Sequence, residues 1–206
     1  MSLADLECFI SLDWGYNAPG CALWWVCLAD GHVHVVAEYK FQRMTVSEVG
    51  LEILKRTRDL GVRRLRYVVA DPACWQHTGA GKGEAIAETL ARAPIRLPMK
   101  KGDNDRRNGW QRLHELLQTA PDGVPWLTVS PRCTYLRRTL PAAVSTDKDP
   151  DDLDTTGDDH ALDALRYGAM SRPSPTRKLL DRGYPVHSAG ALFQRAKTDA
   201  SRRAYA

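Results

Sequence analysis

Two apolar segments of this chain each end on a carboxylate: Phe9-Ile10-Ser11-Leu12-Asp13 and Tyr67-Val68-Val69-Ala70-Asp71. A third acidic group lies in a helix-like run, Asp158-Asp159-His160-Ala161-Leu162-Asp163-Ala164-Leu165-Arg166-Tyr167. A carboxylate at the end of a buried strand is costly unless something pairs with it. A bound divalent metal is a common partner for such groups. Any fold of this chain has to solve that problem three times.

The surrounding pattern predicts an α/β domain. Strands are expected over Glu7–Asp13, Cys21–Leu28 and His32–Phe41, with Asp30-Gly31 as a hairpin turn. Thr45 and Glu48 form a capping box for a helix that Gly61 stops. Further strands are expected over Arg64–Asp71, Ile95–Met99 and Trp126–Val129. Helices are expected over Gly83–Ala93, Asn108–Gln118, Thr134–Leu140 and Asp158–Ser171, with Trp110, Leu113, Leu116 and Leu117 on the buried side of the second of these. An antiparallel meander followed by alternating strands and helices points to three layers around one sheet. From Arg172 onward Pro and Gly break all periodicity, so residues 1–171 read as the domain and 172–206 as a flexible basic tail.

Charge follows the same division. The chain carries a net +4. From Arg172 on, eight Lys and Arg against two Asp give +6, which leaves −2 for the 171 residues before it. A near-neutral domain binds nucleic acid through local patches, or through metal ions that offset its carboxylates. Five cysteines without a CxxC pair suggest free, mostly buried thiols in a reducing, cytoplasmic setting and give no zinc pattern. The first residues lack signal-peptide features, and no apolar stretch is long enough to span a membrane. Gly79-Ala80-Gly81-Lys82-Gly83 suggests a phosphate loop but has Gln76 and Gly83 where that loop needs Gly and Ser or Thr.

Taken singly, each strand-end Asp reads as a turn cap more often than as a ligand. Together with the third group the balance reverses. If the first and fourth strands are neighbours, Asp13 and Asp71 converge at one sheet edge, where open α/β sheets gather ligands. On the last helix Asp159, His160 and Asp163 share one face. The first helical turn accounts for Asp158 and Asp159 through the helix dipole, and less well for Asp163, which is expected beyond it. Oxygen donors of this kind suit Mg²⁺ or Mn²⁺. Two such ions about 3.5–4 Å apart would be held best by one bridging carboxylate, for which Asp13 is the choice. His160 would ligate or orient a water, against the blander reading of a surface histidine. Lys100, Lys101, Arg106 and Arg107 precede a helix and suit phosphate contacts, as a solvated charged loop would equally explain; Arg137, Arg138 and the tail are further candidates.

Five motifs in order resemble the C-terminal nuclease domain of the large terminase subunit of tailed bacteriophages. They are Asp13-Trp14-Gly15, Ala70-Asp71-Pro72-Ala73-Cys74-Trp75, Asn104-Asp105-Arg106-Arg107-Asn108-Gly109-Trp110-Gln111-Arg112, Asp152-Leu153-Asp154-Thr155 and Asp159-His160-Ala161-Leu162-Asp163-Ala164-Leu165-Arg166-Tyr167. The resemblance implies a ribonuclease H-like three-layer fold with a central mixed β-sheet. It implies a two-metal endonuclease that cuts double-stranded viral DNA during packaging in the host cytoplasm. By it, Asp13, Asp71 and Asp163 are the catalytic acids and metal ligands, with His160 beside them and Asp159 as the alternative third ligand. It further implies an ATPase motor domain, a small terminase subunit and a portal as partners. The motor motif is missing here, so the chain reads as an isolated nuclease domain or a fragment. Two alternatives stand beside this: a resolvase- or transposase-like nuclease of the same fold, and a non-catalytic module that docks to DNA or a portal.

Overall fold

Every residue of the strand β2 (Gly20–Cys27) is buried, as its sequence requires: Cys21 to Cys27 offers no charged group to water, so both strand faces need cover. In the computed structural model, which describes residues 3–77, 83–146, 152–153 and 157–172, helices supply that cover on both faces of a six-stranded mixed sheet. β1 (Glu7–Asp13), β2 and β3 (Val33–Phe41) form the expected antiparallel meander. β4 (Leu65–Ala70) runs parallel to β1, β5 (Met99–Lys101) parallel to β4, and β6 (Leu127–Val129) parallel to β3. The order across the sheet is β5-β4-β1-β2-β3-β6.

Strand alternation then builds two cores. Ile10, Leu12, Ala22 and Trp24 pack under α1 (Val46–Asp59) and α2 (Ile86–Ala91). Phe9, Cys21, Leu23 and Trp25 pack under α3 (Arg106–Leu117), α4 (Thr134–Thr139) and α5 (His160–Met170). The capping box forms as read: the Thr45 N–H donates to Glu48 Oε2 at 2.8 Å and the Glu48 N–H to Thr45 Oγ1 at 3.3 Å. Gly61, at φ +74°, ends that helix. All five cysteines are free and buried. Among the described residues no helix is long and apolar enough to cross a membrane.

Several element bounds differ from the expectation. The fifth strand lies at Met99–Lys101 and not at Ile95–Met99. Pro94 and Pro98 supply no N–H to a ladder, and Arg96 sits at φ +56°, so Ile95 and Leu97 enter the core as a turn beneath α2. The same turn shortens α2. α3 begins two residues early because Asp105 caps it, its carboxylate accepting from the Asn108 N–H at 3.0 Å. Leu117 is 38% exposed, so it is not on the buried side with Leu113 and Leu116. α5 begins at His160, which puts Asp163 inside the first turn and not beyond it. The glycine-rich segment at 79–82, Asp154, Thr155 and the tail from Pro173 lie outside the described residues.

One buried polar group ties the β2–β3 hairpin to the turn before β6. His32 Nδ1 lies 3.1 Å from Asp30 Oδ2, and Nε2 lies 3.6 Å from Asp122 Oδ1. Burial alone would push this imidazole down; Asp30 and Asp122 outweigh burial and hold it above its usual 6.5. A histidine raised in the folded state stabilises fully below 6.5, and that contribution is lost as pH rises through the folded value. His32→Gln, which keeps a donor but no charge, is expected to cost about 1 kcal/mol near pH 5 and less near pH 8.5. Urea titrations at both pH values check the sign: a cost that grows towards alkaline pH would contradict it.

Candidate active site

β1 and β4 are adjacent and parallel, so Asp13, which ends β1, and Asp71, which follows β4, leave the sheet at the same edge. The Asp71 N–H donates to the Leu12 carbonyl at 3.3 Å and ties the two ends together. α5 packs across β1 and β2 and brings its first turn to the same edge. There His160 Nδ1 lies 3.0 Å from Asp13 Oδ2, and the charges of Asp163 and Asp71 both act on Asp13. The structure thus brings Asp13, Asp71, Asp163 and His160 together from three elements.

Asp13 is the buried member, at 7% exposure. Its carboxyl is raised to about 6: burial pushes it up most, the His160 contact pulls it down, and the charges of Asp163 and Asp71 push it up. The bond to Asp13 raises His160 above its ordinary value against the effect of burial, with Asp159 and Asp158 adding to the rise. Burial, followed by the charge of Asp163 four residues on, raises Asp159. Asp159 precedes α5 without a side-chain cap bond, while its carbonyl accepts from the Leu162 and Asp163 N–H groups at 2.8 and 2.9 Å.

The other two carboxylates are partly engaged. Asp71 Oδ1 accepts from the Ala73 N–H at 2.6 Å, so this residue does cap a turn as well as reach the shared edge. Asp163 Oδ1 accepts from Arg166 Nε at 2.9 Å and from Arg106 Nη1 at 3.4 Å. Arg166 is 1% exposed, and its remaining nitrogens reach the Asp103 carbonyl and Asn104 Oδ1. Sequence reading passed over it, although a charge inside the apolar run Ala161–Ala169 has to find a buried partner. Arg106 also binds Asp152 through Nε at 2.9 Å, and Trp110 Nε1 donates to the same carboxylate. Arg106 therefore faces inward, towards Asp152 and Asp163. Lys100 and Lys101 stand exposed on the edge strand, in register with Val69 and Ala70 just before Asp71. Arg107 is exposed on α3, beside a groove of about 660 Å³ that Trp110, Leu117 and Val144 line and that excludes the Asp13 edge.

The donor chemistry fits a hard divalent cation. Asp13, Asp71 and Asp163 offer carboxylate oxygens at this edge; burial first, and then the charges of Asp163 and Asp71, raise the Asp13 carboxyl, so added positive charge there is favourable. Among the described residues no three His, Cys, Asp or Glu side chains are gathered closely enough to hold an ion as they stand.

No family model and no curated protein matches this chain. Solved structures do match it in fold. The P22 large terminase nuclease domain aligns with a TM-score of 0.63 at 18% identity, over 85% of this chain and 87% of that one. The nuclease domain of g2p, the large terminase of bacteriophage SPP1, solved with bound Mn, gives 0.56 at 18% identity over 78% and 84%. The large terminase of a thermophilic bacteriophage gives 0.65 at 19% identity, over 80% of this chain but 39% of that protein. The chain thus spans about 39% of the length of that terminase. The fold is the ribonuclease H-like α/β fold of these nuclease domains, as expected from the motif order.

Proposed function

We propose that this chain is a large terminase nuclease domain: a Mg²⁺- or Mn²⁺-dependent endonuclease that cuts double-stranded viral DNA during genome packaging. The observation that carries this reading is the convergence of Asp13, Asp71 and Asp163 at one sheet edge, in a fold shared with terminase nuclease domains. An ATPase motor domain, a small terminase subunit and a portal would be its partners in the host cytoplasm.

Asp13, Asp71 and Asp163 would hold the metal, with Asp159 at the margin. Divalent cations bound there would activate a water and stabilise the leaving oxygen of a phosphodiester. Asp13 has both other acids as neighbours and is the residue suited to lie between two ions. His160 is oriented by its Nδ1 contact with Asp13, which leaves Nε2 as the nitrogen that can take or give a proton. Lys100 and Lys101 stand one strand away from Asp71, where a DNA backbone would pass. Arg106 in this reading restrains Asp163 until the site is loaded.

Incubation with supercoiled plasmid and Mn²⁺ or Mg²⁺ tests this. The parent chain is expected to nick and linearise the plasmid. Asp71→Asn and Asp163→Asn are expected to lose at least about 100-fold of that activity, at or beyond the loss that follows removal of a group behind a ligand. Asn preserves the oxygen that caps the Asp71 turn, so the loss reports charge rather than folding. Cutting that survives both substitutions would remove these acids from the site. A parent chain that binds DNA but never cuts under any metal condition would favour the docking module.

A further inference from the structure

Asp158, the residue before the acidic face of α5, sits among three donors from distant parts of the chain. Its Oδ2 lies 2.9 Å from Arg138 Nη2 and 3.4 Å from Lys40 Nζ, and its Oδ1 accepts from the Tyr135 hydroxyl. Lys40 Nζ also lies 4.0 Å from the centre of the Tyr135 ring, which holds the ammonium in place. The platform beneath is built. Glu38 accepts from the Tyr135 and Leu136 N–H groups at 2.7 and 2.9 Å, and so fixes the first turn of α4 to β3.

The sheet register relates this cluster to the carboxylate edge. Asp13 pairs with Cys21 and Cys21 with Lys40, so all three project from one face of the sheet in one row. Two strand spacings separate Asp13 from Lys40 at the backbone, about 10 Å. Charges on one DNA strand recur about every 3.4 Å of helix axis, so a strand with a phosphate at Asp13 has a later phosphate within reach of Lys40. Two cations and a hydroxyl converging on one anion make a phosphate receptor in donor type and number.

We propose that Lys40, Tyr135 and Arg138 form a backbone-phosphate subsite for the DNA strand engaged at the carboxylate edge, and that Asp158 fills it as a built-in substitute anion. The inference rests on the nuclease reading for the identity of the strand. Exposed ion pairs stabilise a fold little, and Arg138 is 67% exposed, so a phosphate can displace Asp158 at small cost. Displacement frees the segment leading into Asp159 and His160, which couples strand engagement to the first turn of α5.

Binding of a short fluorescent duplex in chelator, over a salt series, separates this from the nuclease reading because it needs no cutting. The Lys40→Gln, Arg138→Gln pair is expected to raise Kd about tenfold and to lower the log–log salt slope by about two, one per lost contact. Arg138→Lys is expected to keep most of the affinity, and thermal melts identify any variant that is merely misfolded. Asp158→Asn is expected to tighten binding about threefold in the parent and to leave the double variant unchanged. An equal gain in both backgrounds would mean a general charge effect and would overturn the subsite. An unaltered Kd and slope in the double variant would also overturn it, and metal-dependent plasmid cutting by that variant would leave the nuclease reading standing. Loss of the nuclease reading shows separately, as a parent chain that binds DNA but cuts plasmid under no metal condition.

Discussion

Asp13→Asn is expected to make the chain more stable in chelator at neutral pH, by about 1–3 kcal/mol, while it abolishes metal-dependent cutting. The carboxyl is buried, and its value stands at about 6 against the ordinary 3.8. A raised carboxyl means that the folded state prefers the protonated form. Stability is therefore lost as pH rises from 3.8 towards about 6, and stays lost above it. That interval corresponds to about 3 kcal/mol at most. Asn keeps an oxygen for His160 but forgoes the charge attraction, so the net gain is smaller. The advantage of the variant should vanish below about pH 3, under the ordinary value of 3.8, where Asp13 is neutral in both states. Mn²⁺ should raise the melting temperature of the parent and not of the variant, because binding to the folded state alone stabilises it. A parent chain more stable than the variant in chelator at neutral pH would contradict the electrostatic account of this site. Equal stabilisation of both by Mn²⁺ would remove Asp13 from the ligands.

Local chemistry was legible from the residues. The Thr45–Glu48 box, the turn at Gly31 (φ +94°) and the strand ends at Asp13 and Asp71 each depend on neighbours a few positions apart. The adjacency of β1 and β4 entered only as a condition for the two strand-end acids to converge, and the sheet order meets it. The Ile95–Met99 strand failed because hydrophobicity there reports burial alone: Ile95 and Leu97 are buried in a turn, and the prolines beside them carried the information. Asp163 was read beyond the first turn because Asp158 and Asp159 look like helix, although α5 begins after them. Long-range charge pairing had no local signature. Nothing near Arg106 says that it reaches Asp152 and Asp163, or near Lys40 that it meets Asp158 more than a hundred residues away. Such pairings are set by how the sheet orders its strands, so they become readable only once the register is known.

That register also sets how closely α5 can approach the sheet, and Gly168 is the residue that permits it. A methyl group there would lie 2.3 Å from Trp25 Cζ2 and 2.5 Å from Cε2, well inside contact distance. The indole cannot move aside easily. It is wholly buried, it stacks on Phe9 at 5.4 Å between ring centres, and its Nε1–H donates to the Ser11 hydroxyl at 2.8 Å. Gly168→Ala is therefore expected to destabilise the chain by about 2 kcal/mol, the overpacking cost outweighing the better helix propensity of alanine. A fall in melting temperature of about 4–8 °C would report it. Because His160 and Asp163 ride on the same helix, a lift of α5 should also weaken Mn²⁺ binding and cutting beyond what lost stability explains. Trp25→Phe supplies the test of cause. In that background the added methyl enters space the indole has vacated, so Gly168→Ala should cost less there than in the parent. Equal costs in both backgrounds would show that the contact with Trp25 does not set the height of α5, and the alignment of Asp163 with Asp13 would then have to be maintained by the Arg166 and Arg106 contacts instead.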